Sequence, residues 1–227
     1  RVENKINTFL QVDQLEYIPG SSENPFKLVS TGKTSYSNYV YFYSWEKLET
    51  PKNILSLALD GEASGAYPEG FSIWKNFDLR TGNFINAKDL FQSGSVKTVE
   101  NLIQKSIKKE VGDFLVQLKS EKNPSEEVAD QIAIYEDCFT DFTLEDIEYY
   151  FGKDKLTFVA GRCSNHATRA LDDLGSHVVE FPYKQLEKYW SPYVRNLLSG
   201  SETADRTSFS NKLYQGKIDG KYPITVL

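Results

Sequence analysis

Thiol and imidazole chemistry in this chain is confined to Cys138, Cys163, His166 and His177, the only cysteines and histidines among its 227 residues. Cys163, His166 and Asp172 occur in the order that a nucleophile, a base and an orienting carboxylate would need, because a thiol attacks only once a base has taken its proton. A spacing of three on a predicted loop does not establish that geometry, and Cys163 has a competing partner in Cys138. An even cysteine count fits one Cys138–Cys163 disulfide, with two buried free thiols as the alternative. The two histidines are too few for a zinc site unless the cysteines join them, and Cys163-x-x-His166 supplies half of one. No catalytic residue, metal or cofactor is therefore assigned.

The acidic residues offer two further patterns. Asp60, Glu62, Ser64 and Gly65 imitate positions one, three, five and six of a calcium loop, but Phe71 stands at position twelve, where a bidentate Glu is required. That match is accidental. Asp137, Asp141, Glu145, Asp146 and Glu148 cluster at the start of a predicted strand. Paired carboxylates can cleave glycosides; the favoured reading is solvated charge that blunts a sheet edge or meets a cationic partner. A net charge of −6 and a pI near 5.1 argue against nucleic acid, whose binding needs clustered Lys and Arg. Neither GxGxxG nor GxxxxGKS occurs, so no phosphate cradle is predicted. No apolar run approaches the roughly 18 residues that span a bilayer.

These residues are positioned by a mixture of the two hydrophobic periods. Val2, Ile6, Phe9 and Leu10 form one face of an opening helix that ends before Pro19-Gly20, and residues 21–33 read as a loop. Tyr39, Tyr41, Tyr43 and Trp45 alternate with Val40, Phe42 and Ser44, which predicts a strand. Aromatics on one strand face are usually sheet or core packing, so the stripe is read that way rather than as a sugar platform. Strands are expected over 53–60 and 71–79, separated by a glycine-rich loop over 61–70. After a turn at Thr81-Gly82-Asn83 and a helical turn near 86–89, Val99, Ile103, Ile107, Val111, Phe114 and Leu118 mark a long amphipathic helix. Asn123-Pro124-Ser125-Glu126 signals the start of another helix. Further strands are predicted over 142–151, 155–160 and 177–181, followed by a short helix carrying Tyr183, Leu186 and Trp190 on one face. The fold class expected is α+β, an antiparallel sheet packed against two or more helices. Residues 1–198 would be one domain, 199–210 a linker, and 211–227 a β-hairpin tail or the start of a second module.

The stretch NFDLRTGNFINAKDLF over 76–91, the upstream SGAYPEG, and the downstream FTLEDIEYYFGKDKLTF and VVEFPYKQLEKYW together resemble a bacterial extracytoplasmic family. It is the domain of unknown function found in the extracellular part of the anti-sigma factor RsiV and in the non-catalytic region of the peptidoglycan deacetylase PdaC. The resemblance covers residues 38–190. It implies an antiparallel sheet backed by helices, export from the cytoplasm, and a binding or sensing role; within the family, RsiV recognises lysozyme. The chain departs from the family's Gly-Gly-Ala-His-Pro loop, where Ser64, Gly65, Ala66, Tyr67 and Pro68 stand and a phenol replaces the imidazole. Residues 161–176 are also longer than the family's segment at that place.

The functional expectation is an exported, non-catalytic binding domain of the cell envelope that engages a cationic protein such as lysozyme, or peptidoglycan. Ser64, Gly65, Ala66, Tyr67, Pro68, Asp141 and Glu145 are its candidate binding residues. The alternatives are an envelope-polymer enzyme working through the acidic cluster, and a structural module of a longer envelope lipoprotein. The chain contains no Met and opens at Arg1, so the expectation includes a processed upstream segment with a secretion signal or lipid anchor, and a periplasmic or cell-surface location.

Overall fold

In the computed structural model of the chain, which describes residues 2–15, 39–64, 68–202, 214–218 and 222–226, the period-two stretch after residue 38 becomes an antiparallel meander. Strands β1 (Tyr39–Lys47), β2 (Ile54–Ser64) and β3 (Pro68–Asp78) pair in sequence order, and the two-residue β4 (Asn83–Phe84) joins the far side of β3. β2 and β3 remain in register from Ile54 opposite Asp78 to Ser64 opposite Pro68. The segment 61–70, expected to be a loop, is thus mostly ladder. Gly61 is there for space and not for a turn. A Cβ at this position would stand 2.3 Å from the ring of Phe71, its cross-strand partner.

Helix α1 (Val2–Leu15) covers one face of this sheet. Ile6 and Phe9 pack with Leu57, Leu59 and Phe77, and Phe9 stacks on Phe84 with ring centroids 4.8 Å apart. Gly82 adopts φ +76° in the turn before β4, and a Cβ there would lie 2.9 Å from the Val2 carbonyl oxygen. The turn therefore closes directly against α1. Of the aromatic stripe on β1, Tyr43 and Trp45 do not pack as expected, being 39% and 69% exposed. The reason is placement: α1 packs chiefly over β2, β3 and β4 and meets the edge strand β1 at Tyr43, whose hydroxyl donates to Gln14, which leaves Trp45 open.

A second antiparallel sheet contains β5 (Glu148–Phe151), β6 (Lys155–Ala160) and β7 (His177–Pro182). Its inward residues Tyr149, Phe151, Leu156, Phe158, Val179 and Phe181 meet the apolar stripe Ile103, Ile107 and Val111 of the long helix, here α3 (Val96–Lys119). The short α2 (Ala87–Leu90) precedes it. Helix α4 (Glu126–Glu136) starts later than the Asn123 cap expected from sequence: Ser125 is the cap, its hydroxyl accepting from the Val128 N–H.

The strand predicted over 142–151 begins only at Glu148. Before it, Asp146 accepts from both the backbone N–H and the hydroxyl of Thr143, a local turn that competes with a ladder. The freed backbone groups are taken by side chains of α3. Gln104 donates to the Phe142 carbonyl and Glu100 accepts from the Leu144 N–H. After β7 come α5 (Tyr183–Leu186) and α6 (Pro192–Leu198), the latter unanticipated and capped by the Ser191 hydroxyl. Phe91 stacks on Trp190 at 5.1 Å, and Ser191 donates to the carbonyls of Leu90 and Asp89, which pins α6 to α2. Strands β8 (Tyr214–Ile218) and β9 (Tyr222–Val226) pair as the hairpin expected near the end of the chain.

Among the described residues the molecule is thus a mixed α/β structure in which two antiparallel sheets, besides the β8–β9 hairpin, pack with six α-helices, in keeping with the α+β class expected.

Candidate functional site

The site is built where the edge of the second sheet meets the face of the first. Along β3, Ser72, Trp74 and Asn76 point away from α1, because side chains alternate and Phe77 is committed to the α1 side. Asn76 is buried, and its carboxamide donates to the Tyr149 carbonyl at 2.8 Å while its oxygen accepts from the Phe151 N–H at 3.4 Å. Those are the groups a neighbouring strand would have satisfied. The Ser56 hydroxyl on β2 donates to the Asn76 carboxamide oxygen at 2.6 Å and itself accepts from the Phe151 N–H. These polar contacts lock β5 across β2 and β3 and leave an open groove above them.

The groove has a volume of about 690 Å³ and takes residues from all three long strands of the first sheet and from all strands of the second. Its apolar lining includes Phe42, Val178 and the stacked pair Trp74 and Tyr150, whose rings lie 5.5 Å apart at 26°. Among the described residues, four carboxylates line it, Asp60, Glu62, Asp146 and Glu148, against one lining cation, Arg162. Asp60 accepts from the Ser72 hydroxyl and Glu148 from the Trp74 N–H, so both are oriented by β3. The Thr143 hydroxyl and then its backbone N–H hold the Asp146 carboxyl below the usual carboxylate range, which keeps it charged at neutral pH. Charged acids beside partly exposed aromatic rings form a surface suited to cationic groups.

The residues singled out from sequence distribute unevenly around this groove. Ser64 and Pro68 are the last paired positions of the β2–β3 hairpin, two residues beyond Glu62 and Gly70, while Gly65, Ala66 and Tyr67 lie outside the described residues. Asp141 and Glu145 do not line the groove, whereas Asp146 and Glu148 of the same cluster do. Asp141 instead pairs with Lys108 at 2.7 Å, a hydrogen bond that lowers its carboxyl pKa. Asp60 and Glu62 sit on a strand and not in a calcium-type loop. Trp74, Tyr150 and Arg162 were not anticipated. The available signal was the period of two shared by Asp60 and Glu62 on one strand and Ser72 and Trp74 on its partner.

Cys138 and Cys163 are joined in a disulfide, so Cys163 is no free nucleophile in this state. Asp172 is occupied by the Tyr135 hydroxyl at 2.8 Å and the N–H groups of Gly175 and Ser164. The imidazole that meets the sulfurs is His177, not His166: its Nε2 lies 3.4 Å from Cys163 Sγ and 3.9 Å from Cys138 Sγ. His177 is fully buried, and its Nδ1 is 2.7 Å from Glu110 Oε2. Sequence proximity favoured His166; the register of β7 delivers His177.

The described fold has known counterparts. It is shared with a DUF3298 family protein from Pseudomonas aeruginosa PAO1, with a TM-score of 0.55 and 14% identity over 86% of this chain and 81% of that one. A DUF3298 family member from Bacteroides fragilis also aligns, with a TM-score of 0.48 and 13% identity over 87% of this chain and 82% of that one. No protein-family model and no curated protein matches the sequence. At this identity the likeness concerns the fold alone.

Proposed function

We propose that this chain is an exported binding or sensing domain, related to the RsiV and PdaC domain family, that captures a cationic protein of the lysozyme kind in the groove between its sheets. The observation that carries the reading is the groove itself, where the described lining sets four carboxylates and one arginine around a half-buried aromatic pair. A lysine- or arginine-rich surface would gain charge-assisted hydrogen bonds from the acids and cation–π contact with Trp74 and Tyr150. The net charge of −6 would steer such a partner from a distance. The disulfide fits residence outside the reducing cytoplasm. The sequence resemblance over residues 38–190 supplies the specific choice of partner.

Calorimetric titration with lysozyme at low ionic strength tests the reading. Binding that weakens steeply with added salt, and weakens again in the Asp60→Asn/Glu62→Gln variant, supports it. An absence of heat at low salt contradicts it. Retention on insoluble peptidoglycan in place of lysozyme would assign the groove to cell-wall material instead.

A further inference from the structure

The groove does not use the cluster formed by Cys138, Cys163, His177 and Glu110, and we infer that its reduced form is a Cys₂His zinc site. One donor atom from each of the cysteines and His177 lies within 4.8 Å of the others. Around a tetrahedral zinc, with bonds of about 2.3 Å to sulfur and 2.0 Å to nitrogen, adjacent sulfur and nitrogen ligands stand roughly 3.5 Å apart. The two Sγ to Nε2 distances of 3.4 and 3.9 Å already bracket that value. Only the sulfurs, bonded to one another in the oxidised chain, must separate, to about 3.8 Å by the same geometry.

The imidazole is prepared for the role. Glu110 Oε2 lies 2.7 Å from Nδ1, placed to accept a proton from that nitrogen, and Nε2 faces the two sulfurs. A carboxylate behind a histidine is the usual outer-shell support of a zinc ligand. Both cysteines are half-buried, so a reductant has access, while the buried ring stays in place on β7.

The chemistry balances with a dithiol as reductant. Two electrons and two protons pass from the dithiol, which closes to its own disulfide, and Cys138 and Cys163 become thiols. Zinc then binds both sulfurs and His177 Nε2 and releases the two thiol protons to solvent. The metal would replace a covalent tie at the rim of the groove, because Gly161 and Arg162 precede Cys163, Ser176 and Val178 flank His177, and all four line the groove.

The test uses the full chain, reduced with a water-soluble phosphine that does not chelate zinc, and titrated anaerobically with cobalt(II) and then zinc. One cobalt per reduced chain is expected, with a sulfur-to-metal charge-transfer band and tetrahedral d–d bands that zinc abolishes. Cys163→Ser should remove most of the charge-transfer intensity, His177→Gln should weaken binding at least 100-fold, and Glu110→Gln should weaken it roughly 10-fold. Where His177→Gln does not fold, Glu110→Gln decides. An absence of cobalt uptake by the reduced chain, unchanged affinity in Glu110→Gln, or equal uptake by the oxidised chain overturns the inference. If reduction unfolds the chain, zinc must restore its far-ultraviolet dichroism, and failure to do so also overturns it.

Discussion

The carboxamide of Asn76 stands in for a strand residue beside Tyr149, donating to its carbonyl at 2.8 Å in the buried seam between the two sheets. The same side chain accepts from Phe151, so one amide satisfies two backbone groups that neither sheet can pair. Asn76→Ala strips the Tyr149 carbonyl and the Ser56 hydroxyl of this partner, while the Phe151 N–H keeps the Ser56 oxygen. Buried polar groups stranded in that way cost about 1–3 kcal/mol each. Urea denaturation should show a loss of about 2–4 kcal/mol, and Asn76→Asp, which sets an acceptor against the Tyr149 carbonyl, should lose at least as much. A loss below about 0.5 kcal/mol in Asn76→Ala would mean that apolar packing alone holds the seam.

Gly82 makes a second prediction. Its φ of +76° costs a non-glycine residue roughly 1–2 kcal/mol, and an added Cβ would press on the Val2 carbonyl oxygen at 2.9 Å. Gly82→Ala should therefore lower stability by about 2 kcal/mol or more and speed hydrogen exchange at the amides of α1, with α3 unaffected. Equal acceleration in both helices would contradict a local role for this turn.

Asp172 gives a pH signature. Burial pushes its carboxyl pKa up, but hydrogen bonds from Ser164, Tyr135 and Gly175 outweigh burial and leave it lowered. A carboxyl whose folded pKa is depressed adds stability that is full above its unfolded pKa of about 4 and is lost as the pH falls through the folded value. Asp172→Asn should thus cost about 1–3 kcal/mol at pH 7, and the gap between variant and parent should narrow below about pH 4. A gap that is constant across that range would mean the carboxylate's charge contributes nothing.

Much of the frame was legible in the residues. The three- and four-residue spacing from Val99 to Leu118 specified α3, and alternation specified β1 and β3, because those patterns follow from local geometry alone. Glycine misled at 61–70, where Gly61 makes room for a ring across the ladder and does not turn the chain. Residues 142–147 have strand-like composition, yet Glu100 and Gln104, some forty residues earlier, claim their backbone groups. The groove was legible only as fragments. Asp60, Glu62, Asp146 and Glu148 stood out as acids, and strand period sets Glu148 beside Tyr150 and Asp60 near Trp74, but nothing local brings these two groups together; the Asn76 seam does that. His177 likewise reaches the disulfide through the register of β7, which sequence spacing cannot report.

The stretch 76–91, which carries the clearest family resemblance, is accounted for by folding. Asn76 holds the seam, Asp78 forms a buried ion pair with Arg80 and accepts from Tyr193, Gly82 turns against α1, and Phe91 stacks on Trp190. The binding surface proposed above lies beside it, along the groove lined by Trp74, Tyr150 and the four carboxylates.

The most direct test of that surface uses the three tryptophans as reporters, since Trp74 lines the groove, Trp45 is exposed on the α1 side of the first sheet and Trp190 is buried. Their indole N–H resonances, assigned by single Trp→Phe substitutions in ¹⁵N-labelled chain, are followed as lysozyme is added at low ionic strength. The account predicts that the Trp74 resonance shifts in a saturable way that salt reverses, while Trp190 stays in place. Saturable binding that moves Trp45 and leaves Trp74 unshifted, or no shift in any of the three, would contradict it.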